Sequence, residues 1–190
     1  MDKLRNLSKE FIWILIGHVA ITLALLFGLR ILTHLLDPAI YGQVSLAMTF
    51  VSLIHLFIFA PIGQGAMRFF ATALEKNDLS NYWAALLQLI SRATVYSIFV
   101  LLLLIALMYV FGWTKMLALA TGAAFLAILG GYNSILSGTH NAARHRLLVA
   151  FHEGTETWLR FLLAAGLVIC FNQSSALVIF GYSLAVIPVF

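Results

Sequence analysis

The apolar runs in this chain are too long for the interior of a globular domain. Phe11 to Leu36, Gln43 to Met67 (most apolar as far as Ile62), Tyr82 to Phe111, Met116 to Leu136 and Leu147 to Phe171 alternate with short polar turns. Each is long enough for the roughly 20 helical residues that cross a hydrocarbon core of about 30 Å. All are far longer than the ~10-residue alternating strands of outer-membrane barrels, so helices are expected. A sixth run begins near Ser175 and is still apolar at Phe190. With no polar anchor after it, the sequence reads as the N-terminal part of a longer protein; a short last span ending at the interface is the alternative. Charged residues make up only 9% of the chain, against about a quarter in soluble domains. The expectation is an all-α, polytopic transmembrane helix bundle of about six spans.

The basic start MDKLRNLSKE resembles that of a signal peptide, but the run behind it is too long and no small-residue cleavage site follows. It is read as a retained first span. Lys3, Arg5 and Lys9 precede that span, Arg68 and Lys76 follow the second, and Arg144 and Arg146 precede the fifth. Only Lys115 clearly lies on the opposite side, with Arg30 near the outer end of span one. Basic residues are retained in the cytoplasm, so the N-terminus is expected inside a cell membrane. The net charge of +4 then reports topology and attraction to anionic lipid. No basic stripe with interleaved aromatics lies outside the membrane, so nucleic acid is not an expected partner. Cys170, the only cysteine, excludes an intrachain disulfide and is read as a small buried apolar side chain.

Ionisable residues inside such runs are the candidates for function, because a charge at the bilayer centre costs at least ~2.5 kcal/mol. Span five holds His152, Glu156 and Arg160 at four-residue spacing, widened by Glu153 and Thr157. That spacing puts them on one helical face, with Glu156 and Arg160 oriented for an ion pair. Either the pair is a self-satisfied structural element, or the face borders a wet cavity. Span two carries Ser45, Thr49, Ser52 and His55 in one arc, followed by Pro61 and the glycines around Gln64. A polar arc beside a bend suggests a cavity-lining helix; hydroxyls bonded to their own helix carbonyls are the bland reading. His18 lies on span one, while Arg30 and Arg92 either snorkel to the interfaces or add positive charge for an anionic cargo. His55 and His18 are candidate proton carriers, weighed against ordinary interhelical hydrogen bonding. Trp13, Tyr41, Tyr82, Trp83, Trp113 and Tyr182 read as interfacial anchors. The small residues from Thr121 to Ser134 read as helix packing, with a bend at Gly130 and Gly131 as the alternative. No phosphate-binding loop, metal-ligand spacing or nucleophile elbow is present, so neither an enzyme nor a metal site is expected.

At LTHLLDPAIYGQVSLAMTF, with Pro38, Tyr41 and Gly42, the chain resembles polysaccharide and O-antigen flippases of the multidrug/oligosaccharidyl-lipid/polysaccharide exporter superfamily. APIGQGAMRFFA, with Arg68 and Phe69, and the basic connection with Arg144 and Arg146 are also similar to that family. His34 stands where the family often has Arg, and Asp37 where Gly is frequent. The resemblance implies most of the N-terminal lobe of a two-lobed transporter in the bacterial inner membrane. The implied cargo is a polyprenyl-pyrophosphate-linked oligosaccharide, carried to the outer leaflet for cell-surface polysaccharide or lipopolysaccharide synthesis. No cofactor is implied, but coupling to a proton or sodium gradient is. Implied partners are the lipid-linked oligosaccharide and the bilayer, with a polysaccharide polymerase and export proteins as further candidates. Arg30, Arg92 and Arg160 would favour passage of the pyrophosphate, with Glu156 holding Arg160, and His55, His18, Ser52 and Thr49 lining the path. A related drug or peptidoglycan-precursor exporter, a membrane glycosyltransferase and a structural subunit of an export complex are the competing readings.

Overall fold

A computed structural model describes the backbone of residues 2–187 and the side-chain environments of residues 12–187 apart from Lys115. The orientation charges Lys3, Arg5, Lys9 and Lys115 therefore lie outside the described side chains. The described residues form six helices and no strand: α1 (Asp2–Leu35), α2 (Pro38–Glu75), α3 (Leu79–Val110), α4 (Leu117–Ala142), α5 (Arg146–Cys170) and α6 (Ser175–Val186). The chain is an all-α helical bundle. The last residues of the expected sixth span, 188–190, fall outside the described residues.

Most helix ends differ from the expected limits by a few residues; α1 begins and α2 ends well beyond them, because helices continue past the apolar run until a backbone stop. Pro38 opens α2, where its missing N–H would be unpaired in any case. Asn77, Gly112 and Arg144 each adopt positive φ (52°, 73° and 61°). After each of them, the next N–H reaches back five residues to close the helix: Asp78 to Ala73, Trp113 to Met108, His145 to His140. These tight turns make neighbouring helices antiparallel.

Among the described residues, four helices are long and apolar enough to cross a membrane: Ile12–Leu35 within α1, and α2, α3 and α4. Every 18-residue stretch of α5 contains Glu153, Glu156 and Arg160, so it is set apart by charge. The structure meets that charge with internal partners, described below. Outward faces of α1 and α3 are strongly apolar, with Leu26, Phe99, Leu102 and Val110 exposed. Such a surface suits lipid and not water.

Helix packing relies on missing side chains. A Cβ on Gly28 would fall 2.1 Å from the Phe161 ring of α5, and one on Gly181 would fall 2.7 Å from the Ala164 backbone. α1, α5 and α6 therefore pack closely. Leu32, Val44, Leu126, Phe161, Val178 and Ile179 form one buried cluster. Ile54, Phe59, Leu86 and Ile135 form a second.

Two expectations are corrected. Cys170 is exposed, because it ends α5 on the outer side of the bundle. Tyr182 is buried against Phe161, ring centroids 5.8 Å apart, and does not mark an interface. Proximity to an apparent chain end says nothing about which helical face a residue occupies.

Candidate functional site

Proline at position 61 shapes α2. In a regular helix its ring would clash with the carbonyl of residue 57, and it has no N–H to donate. The chain relieves both with a π turn at His55–Phe59, in which the Ala60 N–H bonds to the His55 carbonyl. The helix thus widens for one turn where bending or unwinding was expected, and it continues past Gly63 and Gly65. Phe59 is fully buried against Gly131, where a Cβ would meet its ring at 2.3 Å. This contact answers the question of the paired glycines: Gly131 is a packing socket. A Cβ on Gly130 would meet nothing within 4 Å, and the residue lines a cavity.

That cavity has a volume of about 700 Å³ and lies between α2, α4 and α5. Ser52 and His55 border it from α2, Asn133, Ser137 and Asn141 from α4, and Glu153, Glu156 and Arg160 from α5. The α5 spacing of three and four and the α4 spacing of four bring each set onto one face. His152 is not among the lining residues; Glu153 occupies that part of the face.

Polar groups join α4 to α5 across the cavity wall. Arg160 Nη2 donates to Glu156 Oε1 at 2.5 Å, the expected helical ion pair. The Asn133 amide donates to the other Glu156 oxygen. Ser137 Oγ donates to Glu153 Oε1 at 2.6 Å. Glu156 is buried, and charge-assisted donors on both oxygens offset its loss of water. The Arg160 guanidinium also lies 5.8 Å from the centroid of the Tyr182 ring. Near the α4–α5 turn, Arg146 Nη1 donates to Asn141 Oδ1 at 2.6 Å.

The remaining predicted residues separate. Ser52 borders the cavity, but its hydroxyl donates to the Met48 carbonyl, as the Thr49 hydroxyl does to Ser45. Thr49 is exposed and is not among the lining residues. Arg30 and Arg92 are exposed on the outside of α1 and α3, away from Arg160's cavity. His18 borders a separate pocket of about 160 Å³ with Asn141, Arg146 and Glu153. Glu153 thus lines both spaces.

Sequence reasoning missed Asn133, Ser137 and Asn141. Their signal was present as a four-residue polar spacing within the small-residue stretch of α4. No group of three or more His, Cys, Asp or Glu side chains that could hold a metal ion occurs among the described residues. Compared with protein-family models, curated proteins and solved structures, the chain matches none.

Proposed function

We propose that this chain forms the cavity-bearing lobe of a membrane transporter and is not an enzyme. The proposed cargo is a polyprenyl-pyrophosphate-linked oligosaccharide, moved from the cytoplasmic to the outer leaflet. One observation carries the transporter reading: a cavity of about 700 Å³ whose wall holds two carboxylates, a guanidinium and several neutral polar groups, in an otherwise apolar bundle. The choice of cargo rests on the resemblance around Pro38, Tyr41 and Gly42 alone. A sugar and pyrophosphate cannot cross hydrocarbon unaided, since each unpaired polar group there costs several kcal/mol. A wet cleft would substitute for water while the prenyl tail stays in lipid.

Within this reading Arg160 is the cationic contact for the head group. Arg30 and Arg92 do not border the cavity, so the head-group contact within it falls to Arg160. In this reading the N-terminus and the α4–α5 turn face the cytoplasm, which the Lys/Arg asymmetry of the connections supports, and the bacterial inner membrane comes with the resemblance.

The test is reconstitution of the whole gene product in liposomes carrying a fluorescent lipid-linked oligosaccharide. Transbilayer movement should accelerate, fall to background with Arg160→Ala, and return in part with Arg160→Lys, which keeps charge without the planar fork. Full movement by the folded alanine variant would remove the role given to Arg160. No acceleration by the parent protein would remove the cargo.

A further inference from the structure

A second large space, of about 590 Å³, lies between α2 and α3 and shares no lining residue with the polar cavity. Its α2 wall repeats at intervals of three and four from Pro61 to Lys76, and its α3 wall does so from Asp78 to Leu89. Each wall is therefore one helical face. The groove exists because small residues border it: Gly65 and Ala73 on α2, Ala85 on α3. A Cβ on Gly65 would meet nothing within 4 Å. Tyr82 ties the two walls together. Its hydroxyl donates to the Ala66 carbonyl at 3.0 Å, and its ring meets Phe70 edge-on, centroids 5.8 Å apart. Phe69 is exposed on one wall and Leu89 on the other, so the groove opens onto the apolar outer surface.

One end of this apolar groove is charged, and it carries both signs. Lys76 and Asp78, both exposed, flank Asn77, whose φ of 52° makes the tight α2–α3 turn. Among the described residues no ion pair joins the two. The Asn81 amide donates to Asp78 Oδ1 at 2.7 Å, which holds the carboxylate beside the groove and leaves Oδ2 with no side-chain donor among the described residues. No other charged side chain lines the groove. Its length is that of one leaflet: between Pro61 and Lys76 the helix rises roughly 22 Å at about 1.5 Å per residue. A leaflet with its head groups is about 20–22 Å thick.

We infer that this groove holds one phospholipid with a phosphoethanolamine head. Its phosphate pairs with Lys76, its ammonium with Asp78, and an acyl chain lies along the Gly65 and Ala85 walls. The ammonium has N–H groups to donate to the carboxylate, whereas a choline head has none. An anionic lipid would pair with Lys76 but set like charge against Asp78. A pyrophosphate head would do the same, so the groove does not suit the proposed cargo. Free phosphate would leave the apolar length empty. The inference needs the bundle to sit in a membrane and does not depend on the transporter reading.

The test titrates the whole gene product in detergent with palmitoyl-oleoyl phosphatidylethanolamine, phosphatidylcholine or phosphatidylglycerol, and counts bound lipid by native mass spectrometry. One ethanolamine lipid should stay on each chain, held about tenfold more tightly than either of the others. Asp78→Asn should remove the preference over choline, and Asp78→Lys should move it to phosphatidylglycerol. Gly65→Leu, whose side chain has open space to enter, should fill the groove and abolish retention. If the leucine variant does not fold, the two Asp78 variants decide, since they lie on an exposed turn. The inference fails if the parent holds the choline or glycerol lipid as tightly, or if folded Gly65→Leu keeps the ethanolamine lipid. Displacement of that lipid by lipid-linked oligosaccharide would give the groove to the cargo and overturn the assignment. A dimer that Gly65→Leu dissolves would overturn it in favour of a second copy of the chain.

Discussion

Gly130 and Gly131 are adjacent and identical in the sequence, yet the structure gives them opposite sensitivities. Gly131→Ala drives a methyl into the Phe59 ring, which is fully buried and has no room to retreat. A loss of about 1–3 kcal/mol is expected, read as a lower unfolding temperature in detergent. Gly130→Ala meets nothing and should be neutral or gain up to about 1 kcal/mol through helix propensity. Equal losses at both positions would contradict the Phe59 socket. Residue-level chemistry was partly legible beforehand. Glu156 and Arg160 stand out because charges are rare in an apolar run. Asn133 and Ser137 did not, because uncharged polar residues among glycines and alanines look like packing. Their importance comes only from what α5 places opposite them.

Among the helices, α2 has the most consequential irregularity. Pro61 was visible in the sequence, but whether a helix answers a proline by kinking, unwinding or widening depends on its neighbours. Here Phe59 sits in the Gly131 socket and holds the π turn at His55–Phe59 in register. Pro61→Ala removes the ring clash and restores a donor, so regular bonding becomes available. Amide exchange across His55–Phe59 should slow relative to the parent, while α3 and α4 exchange as before. Unchanged exchange would mean that packing, not proline, maintains the π turn. The turns are equally testable. With Cys170→Ala removing the one exposed thiol, a cysteine at Glu75 should resist an impermeant reagent in intact cells, and one at Asp37 should react. The opposite pattern inverts the proposed orientation. Glu75 is preferable to Asn77, whose φ of 52° disfavours cysteine.

For the whole molecule, the all-α bundle was legible because run length alone excludes soluble folds and barrel strands. The grouping of its helices was not, since close packing through glycine leaves no periodic apolar stripe to read. Gly17 and Gly28 bring α1 against α5 at Ala150 and Phe161, and Gly181 brings α6 against it at Ala164. α6 also meets α4 near its start, where Ile179 sits 3.2 Å from the position of a Cβ on Gly122. Far from that contact, at the Asn133 to Asn141 end, α4 and α5 are joined mainly by polar groups beside a cavity. The two helices are therefore tied at both ends, by the turn of residues 143–145 at one and by α6 at the other, like a bow and its string. Any separation of α4 from α5 is therefore widest between those two ties, beside the cavity, and the Ser137–Glu153 and Asn133–Glu156 bonds are the catches it must first release.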